Sequence, residues 1–510
     1  MSDTHQRRGR AARRAAPPAR VVNYRGLRHP FQPQKVLSDD MVATIHDMAL
    51  KVLEELGLRI LLPEARQIFA AAGARVNETS EMVFVGRDII ADALVTAPKS
   101  IRLRAANPAR ELTYEDGALI FSPAGGCPNA TDADRGRRPG DLATFEETLK
   151  LHQSFDVIHK LGPSAEPQDI PAHLRHYAMM KGQMSLCDKP MFVYARGRAQ
   201  VAECFEMIQL GYGLSGDDFV DGAWATTEIY TNSPRQIDIP MAEGIIDFAR
   251  AGQFLIITPF CLAGAMAPVT VEGALVLQHA EALASIALAQ LVRPGAPVSY
   301  GGFSSNVDMK SGAPAFGTPS HVRLSIGSGQ LARHIGLPWR SAAGSAGNVA
   351  DMQSAGENHM GLWAALMGNA TLTVHAAGWL EGGLTFGYEK YINDIEALQI
   401  IAELCTPLTD DADNLAWDAI ADVQPGGHFF ATRHTMDRFD RAFYTPLVAD
   451  LSNYGNWAAA GAKTSTERAT GIWKQVLADY VPPATGIDVA DRLAGFIAAR
   501  HKAGGAPPVG

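Results

Sequence analysis

Eight short β-type runs, most of them separated by one helix-length stretch, predict an α/β fold: a (βα)8 TIM barrel with an N-terminal α/β cap segment and a C-terminal helical extension. The runs are Leu119 to Ser122, Ile158 to Gly162, Met191 to Ala195, Trp224 to Tyr230, Phe254 to Pro259, Val298 to Phe303, Trp339 to Ala343 and Leu372 to His375. Strand alternating with helix implies parallel pairing through right-handed crossovers, and eight units over roughly 260 residues suit a closed barrel. An open doubly wound sheet would carry G-x-G-x-x-G after its first strand. Here that place holds Pro123-Ala124-Gly125-Gly126-Cys127, which lacks the spacing.

The elements follow in chain order. Residues 1–27 open with an Arg- and Ala-rich stretch that has no apolar core, so it is no secretory signal and is expected to be a disordered basic tail; a transit peptide or nucleic-acid arm is the rival reading. Residues 28–116 are expected to form the α/β cap. Met41, Ile45, Met48, Val52 and Leu56 recur at helical spacing until Gly57. A helix near Pro63 to Ala72, a strand at Met82 to Val85 and a helix near Arg87 to Ala97 follow, the last ended by Pro98. The barrel is expected over 117–409, with helices at Leu142 to Asp156, Ala199 to Leu210, Ala242 to Ala251, Val271 to Leu291, Ser320 to Ile335 and Gln353 to Met367. Residues 410–510 read as the helical extension, packed on the barrel or on a neighbouring subunit.

Composition excludes several functions. With 47% hydrophobic and 19% charged residues, the 510-residue chain is far from the disordered class. A net charge of -9 argues against a nucleic-acid partner. No apolar run reaches the roughly 18 residues needed to span a bilayer, so no membrane association is expected. Five scattered cysteines, Cys127, Cys187, Cys204, Cys261 and Cys405, suggest a reducing compartment, and the cytoplasm is expected.

In this fold chemistry sits at the C-terminal ends of the strands. Those ends are aromatic and small: Gly125-Gly126, Tyr194, Glu228 with Tyr230, Pro259-Phe260, Tyr300-Gly301-Gly302-Phe303, Gly344 to Asn348, and His375 with Gly378-Trp379. Glycines let a ligand approach the backbone, and several aromatic faces around one cavity attract a quaternary ammonium ion. For any one of these aromatics, packing is the rival explanation. Cys127, Cys261 and His375 lie near strand ends, but adjacent cysteines are absent and no tightly bound metal is expected. There is no G-x-S-x-G and no P-loop. Glu357 with Asn358-His359 opens a helix, where an acidic first turn is also ordinary.

Several of these segments together resemble the trimethylamine methyltransferases. The resemblance rests on the basic tail followed by Leu37-Ser38-Asp39, Ile45-His46 and Val52 to Gly57; on Ser122 to Gly126 followed by Gly140-Asp141-Leu142; on Gly336-Leu337-Pro338 through Gly344 with Asp351 to Glu357; and on Gly426-Gly427-His428-Phe429. It runs over nearly the whole chain. The family's namesakes carry pyrrolysine just before the Asp-x-Gln segment; that place falls here at or beside Asn348, and no such residue is present. A quaternary amine has no lone pair to add to pyrrolysine's imine, and it is already an activated methyl donor. The resemblance therefore implies a member similar to the glycine betaine:corrinoid methyltransferases. Such an enzyme transfers a methyl group from a quaternary amine to cob(I)alamin supplied by a partner corrinoid protein, this chain lacking a corrinoid carrier's Asp-x-His-x-x-Gly. A homo-oligomer is also expected.

On that reading Asn348, Glu228 and His375 are the catalytic candidates. Tyr194, Tyr300, Phe303, Trp339, Arg340 and Trp379 bind substrate, and Gly125, Gly126, Gly301, Gly302 and Gly347 face the cobalamin. Two rivals remain: a quaternary-amine-binding barrel without turnover, and zinc-assisted methyl transfer from another donor.

Overall fold

The protein is described here by a computed structural model covering residues 23–509; the basic tail lies almost wholly outside them. Two compact units are resolved, one of 24–405 with 446 onward, the other centred on Thr406–Thr445.

The larger unit is a mixed α/β structure built on a curled eight-stranded sheet. Seven strands run parallel, in the order Ala118–Phe121, Leu372–Val374, Trp339–Ala342, Val298–Gly301, Phe254–Ile257, Ala225–Ile229 and Met191–Phe192. The eighth, Leu27–Arg28, lies antiparallel on Ala118–Phe121. Seven of the eight expected runs thus form parallel strands. The other, Ile158 to Gly162, forms none. It reaches the two ends of the parallel series by one backbone bond each, His159 N–H to Phe121 O at 2.9 Å and Leu161 N–H to Pro190 O at 3.0 Å, and Phe121 N–H turns instead to the His159 ring at 2.8 Å. Pro163 beside it and Pro190 opposite it have no N–H, which removes donors a ladder would need.

Strand parity decides which side chains face inward. Ile120, Phe254, Ile256, Leu372 and Val374 cluster with Ile101, Leu103, Leu112 and Tyr114. The latter four come from the hairpin Ser100–Leu103/Leu112–Glu115, which plugs the N-terminal end of the sheet. Tyr114 Oη reaches Ser299 Oγ at 2.6 Å there. The alternate residues, among them Leu255, Ile257, Ile229, Tyr300 and Trp339, join the core beneath the surrounding helices. Chemistry is left to the opposite, C-terminal end.

Many of the helices start at polar caps. Ser38 accepts from Met41 N–H at the head of Asp39–Lys51, and Asp141, Asp238, Thr270, Thr318 and Asp351 cap five others in the same way. Asp39–Lys51 runs on through a π turn to Gly57, whose φ of 65° and approach to Val83 O leave no room for a Cβ. Ala172–Leu186 and Tyr388–Leu404 also form helices; both are buried on several sides, so neither shows a single apolar stripe in sequence. Val271–Val292 is long and apolar enough to cross a membrane, which corrects the expectation that no segment is. It is a core helix: sixteen of its side chains are buried, Glu281 and His279 included. Ser465–Ala478 and Val489–Lys502 pack into the same unit through Ala469, Trp473, Val489 and Leu493.

Candidate functional site

A cavity of about 260 Å³ opens at the C-terminal ends of the strands. Its wall takes Ser122, Gly125 and Gly126 from beyond the first strand, Lys160, Gly162 and Pro163 from the bridging segment, Phe192, Tyr194 and Arg196, then Glu228 with Tyr230, Met241, and Val374 with His375.

Glu228 is its buried anion. Parity turns it inward beside Ile256, and the same rule turns Arg340 inward beside Leu372. Arg340 Nη2 donates to Glu228 Oε2 at 2.8 Å, and Tyr230 Oη donates to the same oxygen at 2.5 Å. Burial pushes the carboxyl up, but the Arg340 guanidinium, with help from Lys160 and the Tyr230 bond, outweighs it and holds Glu228 ionised. Tyr230 and Tyr194 are pushed well above the ordinary phenol range by burial and then by neighbouring carboxylates.

His375 sits at φ 57°, a backbone region that L residues rarely adopt. Its Nδ1 accepts from Gly125 N–H at 3.4 Å, and its ring stacks on Trp379 with centroids 4.7 Å apart. Burial and then the Arg340 charge push it down to about 3, so it is neutral at pH 7. Lys160 is buried, lies 5.3 Å from the centre of the Phe192 ring, and is lowered to about 8 by burial. Its described hydrogen bond goes to Leu161 O at 3.1 Å, leaving donor capacity on the ammonium. Arg196 makes a two-point contact with Glu166 at 3.0 and 2.7 Å while its guanidinium covers Tyr194, 4.2 Å from the ring centre.

The residues singled out from sequence separate into three groups. Glu228, His375, Tyr194, Gly125 and Gly126 line the cavity. Arg340, Phe303 and Trp379 stand behind it: Arg340 lies over Phe303 at 5.2 Å, and Phe303 packs 5.2 Å from His375 and 5.6 Å from Trp379. The others lie elsewhere. Tyr300 points outward, its hydroxyl 3.1 Å from His279 Nδ1. Trp339 also points outward and donates to Asn369 O at 3.0 Å. Parity is the reason, since each is the outer neighbour of an inward position. A Cβ on Gly301 would meet Ile257 O at 2.5 Å, and one on Gly302 would meet Gln278 at 2.5 Å, so both glycines serve close packing within the scaffold. Gly347 is buried in a turn held by Ser345 and Glu357. Asn348 is exposed on that loop and does not line the cavity.

Lys160 and Arg196, absent from the strand-end residues picked out in the sequence, complete the site together with Tyr230, which stands there beside Glu228. The sequence does carry a signal for Lys160: it is the one charged residue in the run Ile158 to Gly162, a lysine where an apolar strand is expected. Cys127 and Cys261 are buried thiols pushed up by desolvation, and among the described residues no group of three or more His, Cys, Asp or Glu has metal-binding geometry.

Comparison with known proteins adds the ancestry. The chain is 34% identical to the glycine betaine methyltransferase of Desulfitobacterium hafniense strain Y51 over 470 residues, 92% of this chain and 97% of that one. It is 29% identical to the trimethylamine methyltransferase MttB of Desulfitobacterium hafniense strain DSM 10664 / DCB-2, over 87% and 90% of the two chains. The crystal structure of the Methanosarcina barkeri monomethylamine methyltransferase MtmB aligns over 92% of this chain and 96% of that one, with a TM-score of 0.45 and 10% identity. The family model described as "Trimethylamine methyltransferase (MTTB)" matches residues 4–505, and the chain belongs to that family of methyltransferases.

Proposed function

We propose that the protein transfers a methyl group from a quaternary amine, glycine betaine or a close analogue, to the cobalt of a corrinoid carried by a separate protein in the cytoplasm. The observation that carries this reading is the cavity itself: Tyr194, Phe192 and Tyr230 line it together with one buried carboxylate, Glu228. A trimethylammonium group is attracted both by aromatic faces and by a fixed anion. The neighbouring imidazole of His375 is neutral and adds no repulsion. Lys160, with donor capacity left, suits a substrate carboxylate.

The residues at the mouth fit a large planar group. Gly125 and Gly126 present bare backbone to the cavity, and a Cβ on either would find nothing closer than 3.8 Å. When bound, the corrinoid supplies the nucleophile that accepts the methyl group. The chain's own task is to hold one N–CH3 bond pointing toward that face and to keep water out. The leaving amine keeps the bonding electron pair, so no general base is needed, in keeping with a His375 that stays neutral. We also take 117–409 as a closed (βα)8 barrel with segment 158–162 as its eighth stave, a reading supported by its bonds to Phe121 and Pro190.

The test is direct. Purified protein with free cob(I)alamin and glycine betaine should bleach the cob(I)alamin absorbance and release dimethylglycine in equal amounts. No bleaching with glycine betaine, carnitine or choline would overturn the proposal.

A further inference from the structure

Asn358 lies on the helix Met352–Met367, buried, and its side chain reaches two strand-end loops at once. Oδ1 accepts from Gly344 N–H at 2.8 Å, and Nδ2 donates to Ala376 O at 3.2 Å. The backbone at each end fixes which way the amide points. Only an oxygen meets the N–H of Gly344, and only an N–H meets the carbonyl of Ala376. An aspartate would serve the first group and repel the second. A leucine would serve neither and leave two buried backbone groups unpaired.

The two loops meet at the His375 ring. Gly344 packs so closely on Trp379 that a Cβ there would strike the indole, and His375 stacks on the same indole with centroids 4.7 Å apart. Ala376 follows His375, whose φ of 57° is held in an L residue only where the surroundings impose it. Here they impose it peptide by peptide. Ala376 N–H donates to Ser122 O at 3.0 Å, Ala377 O accepts from Ala124 N–H at 2.8 Å, and Gly378 N–H donates to Asp394 Oδ2 at 2.9 Å. Asn358 adds the hold on Ala376 O and ties the turn to the loop that carries Gly344. The result is a cavity-lining imidazole whose Nδ1 accepts from Gly125 N–H. The proton of the neutral ring is then on Nε2, which has no hydrogen-bond partner among the described residues.

We propose that Asn358 is a positioning residue for the methyl transfer: by joining Gly344 N–H to Ala376 O it fixes the place and the tautomer of the His375 ring in the cavity. This role rests on the cavity being the site of the reaction proposed above, so the test includes a readout that needs no turnover. Full-length protein labelled with 15N-histidine should show His375, assigned by its loss in H375A, as a neutral ring protonated on Nε2 at pH 7. N358D should turn that signal into a mixture of tautomers. With free cob(I)alamin and glycine betaine, N358D should lower kcat/KM by about 100-fold, the loss that a shift of about 1 Å in a positioned group brings. In the H375A background the same substitution should change kcat/KM by less than about 2-fold, because the group it positions is gone. An equal loss in both backgrounds would mark Asn358 as structural only and overturn the proposal. So would an unchanged His375 signal in N358D, or the Nδ1–H tautomer in the unaltered protein. Should N358D fail to fold, N358S, too short to reach both loops, takes its place in each measurement. Absence of turnover in the unaltered protein would count against the reaction, and the His375 signal alone then decides the role of Asn358.

Discussion

Arg340 Nη2 stands 2.8 Å from Glu228 Oε2, with both side chains sealed from solvent and Tyr230 sharing the same carboxylate oxygen. One guanidinium therefore keeps the cavity's single lining anion charged while itself lying outside the cavity wall.

Removing either partner leaves the other buried and unpaired, which typically costs about 3–5 kcal/mol. R340M and E228L should each lower stability by about that amount in urea unfolding. The double variant E228L/R340M should recover most of the stability, because two apolar side chains replace the pair. It should not recover kcat/KM for a quaternary amine, because the anion is gone. Recovery of both would show that the pair has only a packing role.

Lys160 makes stability depend on pH. Its pKa falls from the ordinary lysine value of 10.5 to about 8 on folding, burial being the largest cause. Between those values the unfolded chain holds a proton that the folded chain has released, so the contribution to stability rises with pH across that window. Below pH 8 the full penalty of burying the ammonium remains, about 3 kcal/mol. K160M should therefore flatten the stability profile between pH 8 and 10.5. In the native protein KM for glycine betaine should rise above pH 8 as the ammonium is lost, while a substrate without a carboxylate should show no such rise.

The aromatic residues divide by direction. Tyr194→Ala should raise KM for a quaternary amine by roughly 5- to 30-fold, the equivalent of a desolvated cation–π contact, while Tyr194→Phe should retain most of the affinity. Tyr300→Phe and Trp339→Phe should leave KM unchanged and cost about 1 kcal/mol of stability each, since their polar atoms bond only within the scaffold. A rise in KM for either outward residue would contradict the placement of the site.

Much of the fold is legible in the letters because the elements announce themselves locally. The Phe254–Ile257 and Val298–Gly301 strands are short β-branched or aromatic runs, and Asp141, Thr270 and Thr318 mark helix starts one residue ahead. The bridging run Ile158 to Gly162 reads as a strand for the same reason, yet forms no ladder, because Pro163 directly after it and Pro190 opposite it, far along the chain, both lack an N–H. Ala172–Leu186 hides its helix because a segment covered on several sides carries no stripe.

The sequence by itself determined the family, the parallel strand–helix rhythm, and that Glu228, His375 and Tyr194 stand at strand ends. Only the tertiary structure decided which strand-end side chains turn into one cavity. Tyr300 and Trp339 lie one position from inward-facing neighbours, and a period of two sends them to the helices. It also decided that Lys160, which in sequence interrupts an apolar run, shares a buried cavity with Glu228, because burial and charge pairing arise from contacts far apart along the chain.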